Sequence, residues 1–268
     1  MGIWGMDERK DLFLIENEKV KKNARSVAAI LRKDGLIDKK GFSILKVKNF
    51  GKTFNLCDSE PFRDQTIAAG RLVTGFLVKE DVIATAAHFV DEKNVTDIRI
   101  IFGFKMKDES TSETQFYNEN IYKGIKIIHR FYSGLQDGPE WALVKLDRKA
   151  KDQVVATLSK DEIYSGQEIY VIGHPCGLPL KYAPGANVGD FNETCFAADL
   201  DIYSGNSGSP VFDNNTHEVI GMVVHGDNRD FRWTGRGFIS VRYPSIGISS
   251  IGAHCTRVSQ FIDIVDRL

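Results

Sequence analysis

Apolar residues recur along the chain in short runs, divided by clusters of glycine, aspartate, asparagine and lysine. The runs fall at 26–31, 42–47, 72–78, 82–85, 98–102, 125–128, 142–146, 169–172, 219–224 and 238–241. Runs this short, rich in Val, Ile and Phe and bounded by turn-forming residues, predict β-strands. Many of them at modest spacing predict an all-β barrel or sandwich. One stretch has a different period. Val258, Phe261, Ile262, Val265 and Leu268 fall at i, i+3, i+4, i+7 and i+10, which is one face of a C-terminal α-helix, with Ser259 as candidate N-cap. The segment 147–153, Asp-Arg-Lys-Ala-Lys-Asp-Gln, is charged and follows a strand. It reads as a linker dividing the chain into 1–150 and 151–268.

Composition narrows the function classes. With 42% hydrophobic and 26% charged residues the chain can bury a real core and is too evenly mixed to be disordered. Lys+Arg 35 against Asp+Glu 36 leaves a net charge of −1, so neither nucleic acid nor an anionic membrane is an expected partner. No run reaches the length of a transmembrane helix. The first residues lack the basic start and apolar stretch of a secretory signal. That gives two readings: a cytoplasmic protein, or a secreted one whose leader lies outside this sequence. Cys57, Cys176, Cys195 and Cys255 show no CxxC spacing, so no zinc or redox motif is indicated, and neither metal nor cofactor is expected.

The chemistry concentrates at three places. Tyr203 to Pro210 reads Y-S-G-N-S-G-S-P, with Ser207 at its centre. Gly205 lets the backbone bend so that its own N–H and that of Ser207 can converge, which is what an oxyanion hole requires. Upstream, D-V-I-A-T-A-A-H carries an apolar strand into His88. Between them, E-W-A-L-V-K-L puts Glu140 at the head of another apolar strand, with Asp137 three residues earlier as a rival acid. A base, an orienting acid and a nucleophile, far apart in sequence, make the Ser-His-acid constellation.

T-A-A-H, the acid before W-A-L-V-K-L, and G-N-S-G-S-P resemble the three motifs of chymotrypsin-fold serine peptidases. The chain is most similar to the bacterial trypsin-like branch that includes the glutamyl endopeptidases. E-P-F-R-D-Q at 60–65, G-H-P-C-G-L-P-L at 173–180 and C-T-R-V-S-Q-F at 255–261 extend the likeness over most of the chain. The resemblance implies two packed antiparallel β-barrels with a C-terminal α-helix, and hydrolysis of protein or peptide substrate through His88, Glu140 and Ser207. The family nearly always has aspartate where this chain has Glu140. Asp201, six residues before Ser207, stands where trypsin has the acid that selects basic residues, and it could instead fix the loop by hydrogen bonds. The strand 219–224 and its end, Val224, His225 and Gly226, would line the substrate cleft. Val223 takes the place of the histidine on which glutamyl endopeptidases depend. The family's disulfide beside the catalytic histidine is replaced by Val73 and Phe89, an apolar pair. Asn206 lacks the charge that pairs with a newly cut N-terminus in animal relatives. Two functions follow as expectations: an active serine endopeptidase, with a possible preference for basic residues, or an inactive pseudo-peptidase that binds protein. A regulatory partner would be sought at 226–252, which holds Arg229, Arg232, Trp233 and Arg236.

Overall fold

The computed structural model describes residues 2–135, 138–226, 229–244 and 252–268. Eight of the ten predicted strands, with four that the sequence did not mark, assemble into two closed antiparallel barrels, while the runs at 42–47 and 238–241 pair in small sheets outside them. The first contains β1 (Val27–Arg32), β2 (Leu72–Lys79), β3 (Val82–Thr85), β4 (Ile98–Phe102), β5 (Ile121–Tyr132) and β6 (Glu140–Leu146), hydrogen-bonded in the order β4-β5-β6-β3-β2-β1 and back to β4. The second contains β7 (Glu168–Gly173), β8 (Lys181–Phe191), β9 (Cys195–Ala198), β10 (Pro210–Asp213), β11 (Val219–His225) and β12 (Ala253–Arg257), in the order β7-β10-β11-β12-β9-β8 and back to β7.

Most of these strands are covered on both faces, which is why their sequences read as continuous apolar runs rather than alternations. In β6, Ala142, Val144 and Leu146 fill the first barrel, while Trp141 and Leu143 face the second. In β11, Ile220 and Val223 fill the second barrel, while Met222 and Val224 face the first. The layer between the barrels is therefore a core in its own right.

The C-terminal segment docks on that layer with Val258, Phe261, Ile262 and Val265 buried. The α-helix itself spans only Ile262–Asp266 and follows a 3-10 turn at Val258–Gln260. Ser259 lies inside that turn and does not cap the helix, whose N-cap position is Phe261. The apolar spacing predicts the buried face correctly but overstates the α-helical length.

Val73 and Phe89 are both buried in the core of the first barrel, and the guanidinium of Arg32 lies 4.8 Å from the centroid of the Phe89 ring. Cys57, Cys176 and Cys255 form no disulfide. Residues 147–153 carry no strand or helix. The N-terminal segment, however, belongs with the second barrel. Lys10–Asp11 pairs with Tyr182 and Lys181 of β8, and Ile3–Trp4 runs parallel to Arg242–Tyr243. Among the described residues no helix is long and apolar enough to cross a membrane.

Candidate active site

The loop carrying Ser207 is pressed onto the first barrel. The Thr74 N–H donates to the Ser207 carbonyl at 3.0 Å, and the Thr74 hydroxyl donates to the Gly205 carbonyl at 2.9 Å. Two glycines let the loop pack this closely, Gly208 against the first barrel and Gly205 against the turn after β7. At Gly208 (φ +86°) a Cβ would lie 2.0 Å from the Thr74 carbonyl oxygen, and at Gly205 (φ +101°) it would lie 2.5 Å from that of His174. Both positions demand a left-handed backbone and a bare α-carbon.

Two further backbone contacts orient the N–H groups of Gly205 and Ser207, the candidate oxyanion donors. The Ser204 carbonyl accepts from the Cys176 N–H at 2.5 Å, and the Asn206 carbonyl accepts from the Ser209 N–H at 2.8 Å. Across a trans peptide the N–H points opposite to the carbonyl. The Gly205 and Ser207 N–H groups are thus turned away from these partners. Among the described residues neither N–H has a protein acceptor. Asn206 is occupied locally: its amide donates to the Tyr203 carbonyl at 3.3 Å and its oxygen accepts from the Ser209 hydroxyl at 3.2 Å.

His88 lies in the turn after β3, and Glu140 opens β6. The Glu140 carboxylate is fully buried and grips the histidine twice. Oε2 accepts the His88 backbone N–H at 3.1 Å, and Oε1 makes a short hydrogen bond to Nδ1. A carboxylate there requires the proton on Nδ1 and leaves the Nε2 lone pair available as a base. The head of β6 is itself pinned across the seam. The Glu140 N–H donates to the Thr256 hydroxyl at 3.0 Å, and that hydroxyl is also 3.0 Å from the Glu140 carbonyl it donates to. Asp137, the rival acid, lies outside the described residues.

His88, Gly205, Ser207, Val224, His225 and Gly226 line one cavity of about 550 Å³ between the barrels. Ser207 is buried, and its hydroxyl donates to the Val224 carbonyl at 3.3 Å rather than to His88. His225 lies beside the acid, with Nε2 3.7 Å from Glu140 Oε1.

Asp201 is not among the residues lining this cavity. Its carboxylate accepts the N–H groups of Trp4 (2.7 Å) and Glu8 (3.2 Å), so it ties the N-terminal segment to the second barrel. Burial pushes its pKa up to about 6, partly offset by those two N–H donors. Val223 is buried inside the second barrel. Among the described residues, the acid that does line the cavity is Asp230, whose carboxylate accepts the Ser204 N–H at 3.1 Å.

His174, His129 and His217 serve packing. His174 is buried against Phe104 with Nδ1 3.0 Å from the Leu178 carbonyl, and burial holds its pKa down at about 4. His129 stacks on Trp141, and His217 meets the Tyr170 hydroxyl at 3.0 Å. Sequence reading missed Thr74, Thr256 and Asp230. Nothing local marks them, because each acts through contacts made by strands distant in sequence.

The architecture is the chymotrypsin-like double barrel. The trypsin-like peptidase domain matches residues 73–222, more than half of the 268-residue chain, and the chain belongs to that family. Solved structures agree in fold. A Glu endopeptidase superposes with a TM-score of 0.58 at 14% identity, covering 99% of this chain and 98% of its own. The active form of a protease from M. tuberculosis gives 0.53 at 13%, covering 98% and 87%. An inactivated protease paralogue of the scabies mite gives 0.56 at 15%, covering 92% and 94%. At such identities the likeness establishes the fold alone. No curated protein matches the sequence significantly.

Proposed function

We propose that the protein is a serine endopeptidase. The observation that carries this reading is the buried Glu140 carboxylate holding both the backbone and the ring of His88, in the same cleft as Ser207. Ser207 Oγ attacks the scissile carbonyl while His88 Nε2 takes its proton. Glu140 stabilises the imidazolium, and the N–H groups of Gly205 and Ser207 hold the oxyanion. His88 then protonates the leaving amine, and water, activated by the same base, hydrolyses the acyl-enzyme. A fluorophosphonate probe tests it: the wild type is labelled at Ser207, and Ser207→Ala is not.

One observation favours the inactive, protein-binding alternative. The Ser207 hydroxyl points to the Val224 carbonyl. Catalytic hydrogen bonds often tighten only when substrate binds, so rotation of one hydroxyl separates the two readings. Intact protein that never reacts with the probe would establish the alternative.

A basic preference finds no support at Asp201, which is engaged by the N-terminal segment. If peptides with Arg or Lys before the cut are preferred, Asp230 is the acid in position to select them. Paired peptides differing only at that residue, tried on Asp201→Ser and Asp230→Asn, separate the two. The apolar Val73–Phe89 pair supports a reducing, cytoplasmic setting. Two disulfides in protein from its native source would exclude it. The hairpin of Phe231–Trp233 and Phe238–Ser240 displays an exposed Trp233 near the cleft acid Asp230, and remains the place to seek a regulatory protein.

A further inference from the structure

One side-chain cluster among the described residues can do something that proteolysis does not use. His225 reaches the seam from the end of β11, and its Nε2 lies 3.7 Å from the Glu140 Oε1 that bonds the His88 ring. The two imidazoles are nearly parallel, with centroids 5.6 Å apart and an interplanar angle of 24°. One ligand atom each from His88, Glu140 and His225 can be chosen so that all three lie within 4.8 Å of one another. The carboxylate is buried, whereas the His88 and His225 side chains are 20% and 28% exposed and face the open cleft. An ion could therefore arrive from solvent and find a buried anionic ligand.

Two imidazoles and one carboxylate are a donor set for zinc and its neighbours, and a poor one for calcium or magnesium, which prefer six or more oxygens. Tetrahedral bonds of about 2.0–2.1 Å put ligand atoms about 3.3 Å apart. The Glu140–His225 separation of 3.7 Å is already close to that. The His88 ring sits nearer to Glu140 than such a geometry allows and must swing slightly outward.

We propose that His88, Glu140 and His225 bind a divalent transition-metal ion of the zinc class, and that the bound ion switches the catalytic centre off. If the ion takes His88 Nε2, it occupies the lone pair that should receive the Ser207 proton. If it takes Nδ1, that proton leaves to solvent, the bond to Glu140 is lost, and the adjacent cation weakens Nε2 as a base. Binding does not depend on the peptidase reading, but its consequence does.

The probe is Co²⁺, titrated into Ser207→Ala protein, which keeps all three ligands. The expected result is one ion per chain, a visible spectrum of tetrahedral type without thiolate charge-transfer absorption, and displacement by Zn²⁺. Adding His225→Ala or His225→Asn should weaken binding by at least about tenfold. In the wild type, Zn²⁺ at saturating concentration should block fluorophosphonate labelling of Ser207, and a chelator should restore it. Thiolate absorption, the absence of one-to-one binding, or unchanged affinity in the His225 variants overturns the site. Saturation that leaves labelling intact overturns the switch. Wild type that is never labelled, even with chelator, defeats the peptidase reading alone, since the Co²⁺ titration is independent of turnover.

Discussion

A glutamate in place of aspartate carries its carboxylate about 1.5 Å further from the backbone, one carbon–carbon bond. Here that reach is used: Glu140 opens its strand and still grips His88 at both backbone and ring. Glu140→Asp cannot make both contacts unless the seam moves. Because misplacement by about 1 Å can cost about 10²-fold, kcat/KM on a cleaved peptide should fall by about that much. Glu140→Gln should fall further, by roughly 10³–10⁴-fold, because the amide fixes the wrong tautomer and does not stabilise the imidazolium. A healthy Glu140→Gln enzyme with a dead Asp137→Asn variant would move the acid to Asp137. Asp201 makes a separate prediction. Its pKa is raised from 3.8 to about 6 in the folded state, so between those values the folded chain holds a proton that the unfolded chain has released. Asp201 therefore lowers stability as pH rises from about 4 to about 6, by about 3 kcal/mol in all. Urea unfolding of the wild type and Asp201→Asn across that range should show the variant gaining on the wild type as pH rises. Parallel curves would mean that Asp201 titrates normally.

At the scale of elements, the sequence read well where a strand is buried on both faces. β3 and β4 match their apolar runs to the residue, and β6 needs only two further residues at its start. Four strands of the second barrel were not read at all. β8 contains Pro184, Gly185 and Asp190, and β12 reads Ala-His-Cys-Thr-Arg, so neither shows a strand pattern. β9 and β10 have four residues each, too short for a period to show. These strands exist because barrel closure supplies their partners, an effect of tertiary structure that overrides local propensity. The proposed triad residues could be picked out as candidates because each sits in its own local motif. Thr256 and Thr74 were not, because a lone threonine in a strand gains a role only from its neighbours across the seam. Phe89 was readable as half of an apolar pair replacing a disulfide, and its burial gives that pair a measurable weight. Phe89→Ala should destabilise the protein by about 3–5 kcal/mol. A loss under about 1 kcal/mol would show that the first barrel does not depend on this contact.

Over the whole molecule, the two barrels do not behave as beads on a linker. Phe76, Val82, Trp141 and Leu143 of the first share one buried cluster with Tyr170, Phe212, Met222 and Val224 of the second, and the C-terminal segment closes it with Phe261 and Val265. The N-terminal strand crosses to β8, and Thr256 bonds both the N–H and the carbonyl of Glu140. A cut at 150/151 would expose that shared cluster on both pieces and separate Glu140 from its anchor. The chain should accordingly unfold in one cooperative step, and Phe261 is the residue with which to test it. Its ring is buried against Trp141, with centroids 5.7 Å apart, and Trp141 follows Glu140, the proposed triad acid. Phe261→Ala should cost about 3–5 kcal/mol. If the barrels are one cooperative unit, the urea midpoints followed by circular dichroism, by tryptophan fluorescence and by loss of fluorophosphonate labelling should fall together. Independent barrels would give a different result: the variant would split the transition, with one signal moving and another holding its wild-type midpoint. Coincident midpoints would mean that the catalytic seam persists only while both barrels are folded, so that the peptidase has no partly folded active form.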